Sequence, residues 1–184
     1  MKHLFMLTVA LASVMVARAG ETKHIDDVAG MLRVADASKL DGELDQLQND
    51  TGIRAVLRFH EHLPAPEEDD APGLYMLGLS TQLGLIENGV LAVYFADEKE
   101  WRVWIGNALA ARFAGQQGSA EALTKSGAMH DAKEAWMEQV FAAAEKAWAE
   151  WNQIAHGLPR PEEKVRFEAQ ALVDGLKSKF MPQE

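Results

Sequence analysis

The run Val90-Leu91-Ala92-Val93-Tyr94-Phe95 carries no polar residue and is rich in β-branched and aromatic side chains. A run of this kind suits a strand buried on both faces, so the chain must lay structure above and below a sheet. Asn88-Gly89 ahead of it is a turn signal, because both residues tolerate positive φ. Asp97-Glu98-Lys99-Glu100 behind it is too polar to bury and sends the chain back antiparallel through a second strand, Trp101 to Gly106. A buried strand ending in a carboxylate beside a turn is where open α/β sheets keep ligand sites. The segment therefore predicts both a fold and a place to look for function.

The flanking segments supply the remaining layers. Asp36 or Ser38 is positioned to N-cap a first helix, whose apolar face is Leu40, Leu44 and Leu47. Ile53 to Phe59 reads as a strand, with Ala55, Leu57 and Phe59 on one face. Leu63 to Gly73, with three prolines and the acids Glu67 to Asp70, is a surface loop. Leu74 to Leu83 reads as a second helix with Leu74, Leu77 and Leu83 facing the core. Asn107 to Phe113 is a short helix, and a long helical region runs from Ser119 to about Ile154 with a break near Gly127. Its apolar side is Met137, Val140, Phe141, Ala144, Trp148 and Trp151. Pro161 to Phe180 is a last amphipathic helix. A helical crossover between the strands Ile53–Phe59 and Val90–Phe95 makes them parallel. The expected architecture is a three-layer α/β/α sandwich with a small mixed, mainly parallel sheet and an added C-terminal helix.

The first nineteen residues read as an export signal. Lys2 and His3 form a basic start, Leu4 to Val16 is apolar, and Ala17-Arg18-Ala19 is a small-x-small cleavage site. The apolar run is shorter than the ~20 residues a spanning helix needs, and no later segment reaches that length. The expected division is residues 1–19 as signal peptide, 20–156 as the sandwich domain and 157–184 as a helical extension. Cleavage near Ala19/Gly20 delivers the chain to a periplasm or to the medium. Losing Lys2 and Arg18 moves the formal net charge from −10 to −12. That balance argues against binding nucleic acid or an anionic membrane through charge. The chain has no cysteine, which excludes disulfides, thiolate catalysis and cysteine zinc sites.

Three stretches resemble the TPM domain family. "IDDVAGML" is similar to the family's opening V-x-D-x-A-G-x-L, and "LDGELDQLQNDTGIRAVLRF" to its first helix and strand. "LGLIENGVLAVYFADEKEWRVWIGNAL" is similar to its signature of glycine turn, D-N-G-V-L strand, acidic turn and R-x-x-x-G strand. The likeness covers about residues 24–150. Glu87 stands where the family has Asp, and the family's frequent C-terminal transmembrane helix has no counterpart in this sequence. The resemblance implies an α/β/α sandwich. It also implies one of several roles: assembly or repair of membrane complexes, receptor modulation, or acid phosphatase activity, in some members with Ca²⁺ or a related divalent ion.

Candidate site residues follow from both lines. Asp27 and Asp97 are expected at one end of the sheet, with Glu87 and Asn88 on a neighbouring turn. Together they offer the oxygen ligands that Ca²⁺ or Mg²⁺ takes. The competing reading makes Asp27 a cap on local backbone, Asp97 the start of a turn and Glu87 a solvated side chain. His60 and His62, two apart at a strand end, offer a partial zinc or copper site. Ser80, Ser119 and Ser126 lack a nucleophile elbow, so a phosphatase would need ion-bound water, with Arg102 steadying phosphate. Trp101 and Trp104 should point to opposite faces of their strand. The favoured expectation is an accessory or modulatory binding factor for proteins of the cell envelope. Its rivals are a metal-dependent phosphatase and a purely structural subunit with an apolar patch around Trp151.

Overall fold

The computed structural model describes residues 23–69, 71, 73–155 and 163–181. The segment read as an export signal lies outside them. The elements run β1 (Ile25–Asp27), α1 (Val34–Thr51), β2 (Arg54–His60), α2 (Leu74–Gln82), β3 (Gly89–Phe95) and β4 (Glu100–Ile105). After a single helical turn, Asn107–Leu109, come α3 (Ala110–Ala114), α4 (Ala120–Lys125), α5 (Ala128–Ile154) and α6 (Lys164–Phe180). The four strands form one sheet in the order β1-β2-β3-β4. The first three are parallel and β4 is antiparallel, as the helical crossover and the acidic turn require. β1 is a strand where only an extended lead-in was legible.

Every residue of β3 is buried. Val90, Ala92 and Tyr94 meet the larger core, and Leu91, Val93 and Phe95 the smaller one, as strand alternation demands. The smaller core is closed by α2 through Met76 and Leu79. The larger is closed by α1, α5 and α6, with α3 and α4 at its margin. Trp101 faces the larger core and Trp104 the smaller, on opposite sides of β4.

α1 buries Leu40, Leu44 and Leu47, the three residues its spacing marked. Gly52 stops it in the left-handed conformation at φ 73° and returns its N–H to the Gln48 carbonyl at 2.8 Å. The start differs from expectation: the helix begins at Val34 with Arg33 as its cap residue, so neither Asp36 nor Ser38 caps it. Asp36 lies in the first turn instead, where its charge suits the helix dipole. α2 also differs. It buries Met76, Leu79 and Ser80 and leaves Leu74 and Leu77 exposed, so the expected Leu74/Leu77 core face is corrected.

Gly127, at φ 84°, separates α4 from α5. Within α5 the deeply buried residues are Met129, Trp136, Val140 and Ala144, while Met137 and Phe141 pack half-buried beside them. α6 contributes Val165, Ala169, Leu172, Val173, Leu176 and Phe180 to the same core as α1 and α5. Gly175 lets α6 approach α5, since a Cβ there would stand 2.8 Å from Val140 Cγ2 and 3.2 Å from the Trp136 ring.

Candidate functional site

In a parallel sheet, residues that follow strands collect at one end and residues that precede them at the other. Asp27 closes β1, His60 closes β2 and Asp97 follows β3 by two residues. Glu87 and Asn88 precede β3, whose first residue pairs with Arg54 at the start of β2. A strand of this length puts its ends roughly 20 Å apart. The expected four-residue cluster is therefore divided, with Asp27 and Asp97 at one end and Glu87 and Asn88 at the other. β2 also lies between Asp27 and Asp97, a lateral gap of roughly 10 Å.

Each of these side chains already has work to do. Asp27 Oδ1 accepts the Met31 N–H at 2.9 Å and Oδ2 the Leu32 N–H at 2.7 Å, closing the loop into α1. Asp97 Oδ1 accepts from Glu98 at 2.9 Å and Oδ2 from Leu63 at 3.2 Å, with His62 Nδ1 at 3.5 Å. Desolvation works to raise the Asp97 pKa, but the two backbone donors and His62 outweigh it and hold the carboxyl below its ordinary value. Glu87 Oε1 accepts from Asn107 Nδ2 at 3.2 Å, and Asn88 Nδ2 donates to the Gly52 carbonyl at 2.9 Å. Asp27 thus caps backbone and Asp97 organises a turn. Among the described residues no group of three or more His, Asp or Glu is placed to hold a metal ion. The donor set does not fit the six to eight converging oxygens of a Ca²⁺ shell.

The two histidines also part. His60 turns its Nδ1 to the Tyr75 hydroxyl at 3.3 Å and packs against the Tyr75 and Phe95 rings, which also meet each other. Desolvation there, with help from the Arg58 charge, lowers its pKa. His62 lies beyond the strand end and is exposed. Arg102 is engaged by Asp69 at 2.7 Å and Glu100 at 2.9 Å, with its guanidinium 5.2 Å from the Phe95 ring centre. Those two carboxylates take its Nε donor and one at Nη1. Ser80 is buried with no partner for its hydroxyl among the described residues, Ser119 caps α4 through its Oγ, and Ser126 donates to the Leu123 carbonyl.

The largest concavity among those described lies along the free edge of β4. It has a volume of about 890 Å³, within the range of ligand-binding clefts. Its floor is β4 from Glu100 to Ile105. One wall is α2, presenting Leu74 and Leu77 at 44% and 40% exposure. The other is formed by α4 and the first turns of α5, presenting Thr124, Met129, His130 and Lys133. Lys133 is half-buried and makes no hydrogen bond or ion pair with any described residue. Desolvation lowers its pKa with nothing to offset it. His130 and Glu134 beside it pair with each other at 3.2 Å.

The chain shares its fold with two solved domains. One is the N-terminal domain of a protein from P. gingivalis, in solution, with a TM-score of 0.53 at 16% identity over 86% of this chain and 85% of that one. The other is the N-terminal domain of the cg2496 protein from Corynebacterium glutamicum, with a TM-score of 0.50 at 12% identity over 95% and 88%. At such identities the likeness speaks for the fold alone. No family model matches the sequence, and no curated protein matches it.

Sequence reasoning missed the groove. One signal for it was legible. The α2 stretch Leu74-Tyr75-Met76-Leu77-Gly78-Leu79 carries more apolar residues than one helix face can bury, so some had to face outward. Lys133 gave no signal, because its burial without a partner arises only once α5 is docked beside β4.

Proposed function

We propose that the protein acts by binding another protein, as an exported accessory or modulatory factor of the cell envelope, and that the β4 groove is the surface it uses. The observation that carries this reading is the groove itself. It combines a floor of edge strand with two exposed leucines and an unpaired lysine, while the residues expected to do chemistry are held in structural hydrogen bonds. A concavity that sets exposed apolar side chains beside charged groups, here Arg102 with Asp69 and Glu100, His130 with Glu134, and the unpaired Lys133, has the form of a recognition site. The TPM resemblance is compatible with this reading, since accessory and modulatory roles are among those it implies, and the basic-apolar-small start at residues 1–19 supports export. No observation favours the phosphatase alternative: Arg102 is engaged by Asp69 and Glu100, and the carboxylates do not converge. Nor does one favour the structural-subunit reading, since Trp151 packs on Phe167 and Arg166.

The test is photo-crosslinking in cells of the source organism. A crosslinking side chain at Leu77 should capture a defined envelope protein, and the same group at exposed Ser178, on the opposite layer, should not. Equal labelling from both positions, or none from Leu77, rules the groove out as the working surface.

A further inference from the structure

The hydrogen-bond parity of β4 says which backbone groups the groove offers. Gly106 donates to the Gly89 carbonyl, so Gly89 and Gly106 form a hydrogen-bonded pair. In an antiparallel ladder such pairs recur every second residue. The register then makes Leu91–Trp104, Val93–Arg102 and Phe95–Glu100 bonded pairs as well. Trp101, Val103 and Ile105 fall in the other class, and their N–H and C=O groups point away from β3, toward the groove. None of them has a backbone partner there among the described residues. Parity on the other side agrees, because Asn88 and Ala96, the even-numbered residues flanking β3, make their bonds to β2 residues.

We propose that the groove recognises an extended peptide by strand addition to β4, with a carboxylate of that peptide meeting Lys133. The proposal rests on the binding reading above and adds the mode and the chemistry of the partner. Backbone pairing to Trp101, Val103 and Ile105 supplies a fifth strand, and the walls read its side chains. Lys133 is half-buried along its side chain and pairs with no described residue, so its ammonium is open to an anion. Successive side chains of an added strand point to opposite faces. The carboxylate belongs on the α5 side, and the residues that fill the Leu74 and Leu77 wall belong on the α2 side. In the peptide, acid and apolar anchor are therefore separated by an odd number of positions. A second copy of the chain does not serve as occupant, because its own β4 lies recessed between the same two helical walls, which would collide before the strands met.

A display library of random linear dodecapeptides, selected against the full chain, tests this. Selected peptides should carry Asp or Glu at odd spacing from a large apolar residue. Their binding should fall roughly tenfold or more in Lys133→Met. N-methylation at alternate peptide positions should weaken binding about fivefold or more for one parity, by removing donors to β4, and leave the other parity unaffected. Val103→Pro removes an outward N–H without touching a β3–β4 bond, and should abolish binding with little change in thermal melting. Selection of no peptide, binding insensitive to methylation of either parity, or full binding by Lys133→Met would each overturn the proposal. These failures are separable from failure of the binding reading. A Leu77 crosslink to an envelope protein, with no peptide paired to β4, leaves the surface in use and strand addition refuted.

Discussion

Gly106 donates its N–H to the carbonyl of Gly89 at 2.8 Å, and neither residue has room for a side chain. A Cβ on Gly89 would fall 2.7 Å from Leu85 Cα, and one on Gly106 would fall 2.8 Å from the Glu87 carbonyl carbon. The neighbours are backbone, which cannot turn aside. Gly106→Ala is expected to cost about 1–3 kcal/mol by overpacking, read as a lower midpoint in urea with an unchanged slope. A midpoint equal to that of the parent chain would show that the turn relaxes freely.

Asp27 should matter for stability and not for ions. Asp27→Ala strips two loop N–H groups of their acceptor, at about 1–3 kcal/mol for each one left unsatisfied. Chelation followed by addition of Ca²⁺ or Mg²⁺ should leave the melting temperature of the parent chain unchanged. A bound ion at 100 times its dissociation constant would add about 2.7 kcal/mol, so a rise that disappears in Asp97→Ala would restore a cation site at the strand ends.

His60 gives the fold a pH dependence of known sign. Desolvation lowers its pKa in the folded state, so the folded chain favours the neutral ring. Its contribution is complete above the unfolded value of about 6.5 and is lost as pH falls from there through the folded value. Stability measured from pH 8 to 5 should decline in the parent chain and decline less in His60→Gln. Parallel curves for the two would show that another group sets the slope.

α6 should be indispensable. Leu172 is fully buried between α1, α5 and the sheet, and Leu172→Ala should cost about 2–5 kcal/mol. Deleting residues 157–184 removes six core side chains at once and should leave no cooperative melting transition. A chain ending at residue 156 that melts cooperatively would make the last helix a true appendage.

The sheet was readable from Val90 to Phe95 because burial on both faces leaves no polar residue in the run, and α1 because Leu40, Leu44 and Leu47 keep helical spacing. The placement of Glu87 and Asn88 was recoverable in principle. Once the strands are parallel, a residue before β3 cannot share an end with one that follows β1. What the sequence could not disclose depends on docking. The exposure of Leu77, the free edge at Val103 and the unpaired charge of Lys133 each arise from where a distant helix comes to rest. Asp36 misled as a cap because the first turn and the cap favour the same residue type.

Arg33 reaches Glu163 and Lys39 reaches Gln170, contacts that bridge about 130 residues of chain. The seam between α1 and α6 thus joins segments synthesised far apart in time. Until residues 164–180 arrive, α1 and α5 hold apolar faces with nothing to close them, so the domain acquires its final packing late. The proposed export would gain from that order, because a core that cannot close early cannot jam passage through a membrane.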